Sequence, residues 1–259
     1  MDVVRLVKRV AYVGLDARHG FRGVPRVVNG ETVRFPARWS RYYPSTYEPA
    51  KAAFLRAHAT PGATALDLGA HIGLFSVLLA RSVGPTGHVI SFEPAPATAA
   101  VLRATVRCNH LGPVVSAREA ALAGRRGEVE LFETGDECSN ASSVVRTDRT
   151  AASVRVAATT LDDLVADERL TVAVVKMDIE GAELDVLEGA SALLSEQRPA
   201  LAIEVHPREL ATSGRDPREV FDVLVAHGYA LTEEGHPLDR ASFGRPGCFE
   251  LQALPAGGR

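Results

Sequence analysis

Two apolar runs in the second half of the chain each end in groups that can move a proton or bind an ion. Val172-Ala-Val-Val-Lys176-Met-Asp178-Ile-Glu180 closes on a lysine and two carboxylates; Ala200-Leu-Ala-Ile-Glu204-Val-His206 closes on a carboxylate and an imidazole. The period of two along an extended strand puts Glu204 and His206 on the same side. Singly, each polar group reads as a helix cap or a satisfied core residue. Together, at the carboxyl ends of two strands where open α/β sheets bind ligands, they read as a site. Lysine occurs only at positions 8, 51 and 176, so Lys176 inside such a run stands out. His206 suits general base chemistry, oriented by Glu204 or Asp178. Asp178, Glu204 and His206 equally suit a metal, with Mg²⁺ the ion that hard oxygen donors favour. The residues leave both open.

A second constellation lies upstream. Ala63-Thr-Ala-Leu-Asp67-Leu-Gly69-Ala70-His71-Ile-Gly73-Leu-Phe-Ser-Val-Leu-Leu-Ala80 reads as strand, glycine turn and helix, and His88-Val-Ile-Ser-Phe-Glu93-Pro94 as the next strand closed by a carboxylate. Glycines let a ligand approach the backbone, and the helix N-terminus offers it free N–H groups. Glu93 can accept two hydrogen bonds from a ribose diol. The middle glycine of a dinucleotide fingerprint is missing, and His71 stands there. That narrows the room for a pyrophosphate and favours an adenosine ligand bearing a carboxylate, which points to S-adenosylmethionine. Asp67, Gly69, Ala70, His71 and Gly73 would then surround its methionine end. Ala120 and Ala121, small residues after the strand Val114-Val-Ser-Ala-Arg, suit an adenine face.

The elements that position these residues make a βα chain. Strands read around residues 64, 88, 114, 128, 154, 172 and 200, with helices over 51–58, 97–109 and behind the caps at Thr160 and Asp216-Pro-Arg-Glu219. Tyr229–Thr232 and Gly247–Leu254 form a closing hairpin, so the sheet has seven mostly parallel strands with the last reversed. Residues 133–150 read as a long polar loop. Residues 1–45 form an N-terminal extension, a short amphipathic helix plus small strands, that docks on the body, on a second copy in a homodimer, or on a membrane surface; residues 46–259 are the cofactor-binding domain. Tyr47 and Glu48 sit in the aromatic segment Arg41–Pro49, placed to close over a pocket.

Composition excludes several classes. With 259 residues, 46% apolar and 24% charged, the chain is an ordinary globular protein. A net charge of −3 without a Lys/Arg cluster gives no reason to expect nucleic acid. Cys108, Cys138 and Cys248 make neither a metal spacing nor a disulfide framework, and the expectation is a reducing cytoplasm. No stretch is long and apolar enough for a membrane span. Asn140-Ala-Ser142 fits a glycosylation acceptor, but with no secretory signal it reads as chance.

The chain resembles the FkbM-type methyltransferases, a branch of the S-adenosylmethionine-dependent class I fold. The stretches that carry the resemblance are Tyr47-Glu48-Pro49, Asp67-Leu-Gly-Ala-His-Ile-Gly73, Ser91-Phe-Glu-Pro94, Thr160-Leu-Asp-Asp-Leu164, Val175-Lys-Met-Asp-Ile-Glu-Gly-Ala-Glu183 and Glu204-Val-His206. They run in family order from about residue 45; residues 1–40 match nothing in it, and His71 replaces the family's commoner Asn. The resemblance implies a Rossmann-like three-layer α/β sandwich and O-methylation of a hydroxyl on a natural product of secondary metabolism or on a sugar. The rival readings are an NAD-dependent oxidoreductase, which the missing glycine disfavours, and a methyltransferase with a macromolecular acceptor.

Overall fold

Short apolar runs closed by a charged residue form the middle of a sheet covered on both faces, as parallel strands must be. In the computed structural model, which describes residues 3–134, 142–143 and 150–257, the chain begins with helix α1 (Val3–Arg18) and a hairpin of β1 (Val24–Val28) and β2 (Glu31–Phe35), with a 3-10 turn at Ala37–Trp39. Then come α2 (Pro49–His58), β3 (Thr64–Leu68), α3 (Leu74–Val83), β4 (His88–Phe92), α4 (Pro96–Cys108), β5 (Val115–Arg118) and β6 (Ala121–Leu122). After β7 (Gly127–Thr134), β8 (Ser142–Ser143) and β9 (Thr150–Thr159) follow α5 (Leu161–Glu168), β10 (Val172–Met177), α6 (Glu183–Glu188), β11 (Ala200–Val205), α7 (Pro207–Thr212) and α8 (Arg218–Ala226). The chain closes with β12 (Tyr229–Glu233), β13 (His236–Pro237) and β14 (Phe249–Pro255).

The main sheet runs β13-β12-β14-β11-β10-β3-β4-β5. From β5 to β11 neighbouring strands are parallel, and β14 lies antiparallel between β11 and β12. The seven strands expected, with the last reversed, are therefore present; the two-residue β13 adds an eighth at the edge. From β3 the chain winds one way to β4 and β5, and β10 and β11 lie on the other side. The crevice at the carboxyl ends of β3 and β10 is thus the topological switch point, where such sheets bind ligands. One core packs α2, α3, α4 and the N-terminal hairpin on one face; a second packs α5, α6 and α8 on the other.

The alternating segments around Glu128 and Val154 do not join this sheet. They pair antiparallel as β7 and β9 in a separate sheet of order β6-β9-β7-β8. The long polar stretch begins and ends inside those strands; residues 135–141 and 144–149, with Cys138 and most of the Asn140-Ala-Ser142 tripeptide, lie outside the described residues. Thr160 caps α5 as its sequence predicts, its hydroxyl accepting from the Asp163 N–H at 2.9 Å. At Asp216-Pro-Arg-Glu219 the Glu219 carboxylate accepts from the Asp216 N–H, but α8 starts at Arg218, one residue beyond the proline.

Candidate active site

The turn after β3 needs glycine for a steric reason. Gly69 has φ +71°, and a Cβ there would lie 1.7 Å from the carbonyl oxygen of Asp178. The ends of β3 and β10 can approach so closely only without that atom. Lys176, buried in β10, locks the same junction: its ammonium donates to the carbonyls of Gly69 (2.7 Å) and Leu68 (3.3 Å) and lies 3.5 Å from Asp67 Oδ1. Lys176 also lines the cavity, 3.7 Å from Asp178 Oδ2, and its hydrogen bonds to the turn make it a residue that positions backbone.

Asp67 is fully buried and accepts from the Ser76 hydroxyl at 2.6 Å, and Ser76 in turn accepts from Ser91. Gly73, at φ +91°, makes room for Leu102 of α4. Neither lines the cavity, which corrects the expectation that both surround the ligand: they support the turn from beneath. Gly69, Ala70 and His71 do line it. His71 adopts φ +48°, and its N–H donates to Glu93 Oε2 at 2.9 Å while Glu93 Oε1 accepts from the Ala95 N–H at 3.0 Å. Each carboxylate oxygen keeps a second lone pair for a diol. Burial pushes the Glu93 carboxyl up to about 7 against those two bonds. Burial, with Lys176 adding to it, holds the His71 imidazole down near about 4, so this ring is neutral. Its Nδ1 lies 3.2 Å from the Tyr43 hydroxyl.

The cavity holds about 1120 Å³ of empty space, part of it open to solvent. Its lining includes Glu93 and Pro94, Ala120 and Ala121, Tyr42, Tyr43 and Tyr47 from the segment before α2, and Glu204. Glu48 does not line it. At φ +43° its carboxylate turns instead to Lys51 Nζ, at 2.5 Å. Lys51 is wholly buried and also holds Glu204 at 3.0 Å, so the oxygen of Glu204 expected to orient His206 is taken by a different cation. Burial disfavours the Lys51 charge, but Glu204 and Glu48 outweigh it and raise its pKa.

Beside the glycine turn, at the end of β10, Asp178 and Glu180 line the cavity. His206, only 4% exposed, stands behind them: its Nε2 is 3.8 Å from Asp178 Oδ1 and 3.8 Å from Glu180 Oε2. Its Nδ1 meets Glu183 Oε1 at 2.7 Å, and the same oxygen accepts from the Gly181 N–H at 2.9 Å. Glu183, fully buried at the start of α6, therefore orients His206, and Glu180 replaces Glu204 as its second acidic neighbour. Burial opposes the imidazolium, yet Glu183, Glu180 and Asp178 lift its pKa to about 9. For Asp178, burial is outweighed by Lys176, Lys51 and His206, which hold its carboxyl below the usual range. For Glu180 burial prevails, and its carboxyl rises to about 7. At neutral pH the site thus presents a cationic histidine behind one firmly ionised carboxylate and one poised at the edge of ionisation. A group poised near 7 at a cavity wall is suited to take a proton.

A family model described as the methyltransferase FkbM domain matches residues 67–231, more than half of the chain. The protein belongs to the FkbM methyltransferase family. Its main sheet, with the reversed strand, is the class I methyltransferase fold, and family and fold together support an S-adenosylmethionine-dependent methyltransferase. No curated protein matches the chain significantly. Among solved structures, the FkbM methyltransferase of Methylobacillus flagellatus KT is similar at 19% identity and TM-score 0.49, over 76% of this chain and 44% of that one. This FkbM-family chain therefore spans less than half the length of that relative. An O-methyltransferase of Bacillus cereus in complex with SAH shares 15% identity, with TM-score 0.47 over 84% and 85% of the two chains. A SAM-dependent methyltransferase of Aquifex aeolicus shares 15%, with TM-score 0.44 over 80% and 89%. Likenesses at that level leave the acceptor of the FkbM-family chain open.

Lys51 and Glu183 are the neighbours of the site that sequence reasoning placed least well. The signal for Lys51 was its rarity, one lysine of three, within the apolar stretch Ala50–Leu55. Glu183 opens α6 directly after the turn that carries Asp178 and Glu180, and its place in the Lys176–Glu183 motif was the signal.

Proposed function

We propose that this chain transfers the methyl group of S-adenosylmethionine to a hydroxyl oxygen of a small molecule, a natural product or a sugar. The observation that carries the reading is the cluster of Asp178, Glu180 and His206 beside the glycine turn, with both carboxylates at the cavity wall. Gly69, Ala70 and His71 would seat the methionine end, Glu93 and Pro94 the ribose, and Ala120 and Ala121 the adenine, with Asp178 beside the cofactor and Tyr47 over it. An acceptor oxygen attacks the methyl carbon; the O–C bond forms as the S–C bond breaks, leaving S-adenosylhomocysteine. The hydroxyl proton passes to the Glu180 carboxylate. An amine attacks from its neutral form and needs no such group, whereas a hydroxyl does. His206, fixed by Glu183, acts through the two carboxylates and stabilises their charge; it takes the place of the direct base role expected from the sequence.

One observation favours a second version. One ligand atom each from Asp178, Glu180 and His206 lies within 4.8 Å of the others. These three, not the set with Glu204, would hold a divalent ion that polarises the hydroxyl. An imidazole among the donors suits Mn²⁺ or Zn²⁺ better than Mg²⁺. Residues 46–259 would form the catalytic domain and residues 1–45 an appendage, in a cytoplasmic protein without a nucleic-acid substrate.

Calorimetric titration with S-adenosylhomocysteine, with Glu93→Ala as control, tests the pocket. Micromolar binding lost in the variant is expected; binding of NAD instead would overturn the reading. Transfer of labelled methyl to small alcohols, with and without EDTA, then separates the two versions. Transfer only to amines or to nucleic acid would sink O-methylation.

A further inference from the structure

The apolar side chains that reach solvent are not spread evenly. Among the described residues, seven large hydrophobics are exposed, and five of them (Val7, Val10, Val13, Phe21 and Val27) fall in the first 27 residues. Three stand on α1 at intervals of three, which places them along one face of the helix. The same helix attaches to the body through a polar residue: Asp16 Oδ1 accepts from the Ala37 N–H at 3.0 Å, and the Asp16 carbonyl accepts from the Phe21 N–H at 2.8 Å. An amphipathic helix normally buries its apolar face and shows its polar one. Here the valine face looks outward, Val10 at 65% exposure and Val13 at 55%.

Charge follows the same division. Residues 1–45 carry nine Lys and Arg against three Asp and Glu, while residues 46–259 carry twenty against twenty-nine. A modest overall charge therefore conceals a basic N-terminal segment on an acidic body. An outward apolar helix face within a strongly basic segment is the composition that lies on an anionic bilayer, valines among the acyl chains and cations among the headgroups. A second copy of the chain would cover the valines but gain nothing from bringing two basic segments together, so the charge favours lipid.

We infer that α1 docks this protein on an anionic lipid surface through Val7, Val10 and Val13. The docked helix adjoins the catalytic cavity. It is tied to the Ala37–Trp39 turn, and Trp39 meets the His71 ring edge-on at 6.4 Å between centroids. The membrane would thus lie beside the tyrosine-lined side of the site.

The test is sedimentation of the full chain with vesicles of phosphatidylcholine alone or mixed with phosphatidylglycerol. Co-sedimentation with the mixed vesicles only, weakened by salt and reduced by about tenfold or more in Val10→Asp/Val13→Asp, is expected. Unchanged thermal unfolding and S-adenosylhomocysteine binding would show that the variant is folded. Failure to sediment with either vesicle, or equal sedimentation of the variant, would overturn the inference. So would a lipid-independent dimer in the ultracentrifuge that the same variant dissociates, which would make this face an interface between copies.

Discussion

Glu183→Gln isolates the charge that holds His206 in its cationic form. In the wild type the buried imidazole has its pKa lifted from 6.5 to about 9, and Glu183, at 2.7 Å, is the largest of the groups raising it. Glutamine keeps a carbonyl oxygen for the Nδ1–H but removes the charge, so the pKa should fall by at least about one unit, toward its ordinary value. A His whose folded pKa is raised contributes stability that is complete below about 6.5 and lost as pH climbs through about 9. At full extent that contribution is about 3 kcal/mol. Glu180 and Glu93, raised from 4.5 to about 7, cost stability over the lower window between those values, so the loss between about 7 and 9 reports His206. The assay is an imidazole NMR titration of EDTA-treated protein saturated with S-adenosylhomocysteine, alongside chemical unfolding at pH 7 and pH 9. The variant should titrate lower and lose most of the stability difference between those two pH values. In turnover, the wild type should show a bell with limbs near about 7 and about 9, properties of the coupled cluster, and the variant should move the alkaline limb inward. An unchanged His206 midpoint in the variant would refute the assignment of Glu183 as the orienting charge.

Glu180→Gln should lower kcat by roughly 10²–10⁴ with S-adenosylhomocysteine affinity unchanged, measured by turnover and calorimetry side by side. Undiminished turnover would remove Glu180 from proton transfer. Gly69→Ala forces a Cβ against the Asp178 carbonyl at a positive φ, so it should abolish cofactor binding and lower stability by at least about 3 kcal/mol, read by calorimetry and chemical denaturation. Lys51→Met leaves Glu48 and Glu204 facing each other without their cation; a loss of about 3 kcal/mol in urea unfolding is expected.

The fold was legible because local pattern and tertiary role agree. Buried parallel strands must be continuous apolar runs, and β3, β4, β10 and β11 are; their ends must carry the ligand chemistry, and Gly69, Glu93 and Asp178 do. The second sheet was not legible. The alternation around Glu128 and Val154 identifies β7 and β9 as strands, but alternation says nothing about which partner a strand chooses. The basic character of residues 1–45 was hidden for a simpler reason: an acidic body cancels it in the net charge.

Within the site, sequence placed the residues near one another but misassigned their pairings, and the cause lies in the lysines. Strand alternation put Glu204 and His206 on one side, and in an isolated sheet they would be natural partners. A partly buried carboxylate, however, pairs with a buried cation within reach. Lys51 arrives from α2, more than 150 residues earlier in the chain, and takes Glu204. His206 is then left to acidic neighbours from the turn after β10 and from α6, which supply Asp178, Glu180 and Glu183. Lys176 likewise spends its charge on the glycine turn. Each of the two buried lysines thereby removes one group from the reacting set and fixes another: Lys51 withdraws Glu204 and steadies the base of the tyrosine segment through Glu48, and Lys176 withdraws itself and steadies Gly69. What His206 then backs is the carboxylate pair Asp178 and Glu180, while Glu204 lines the same cavity with its charge held by Lys51.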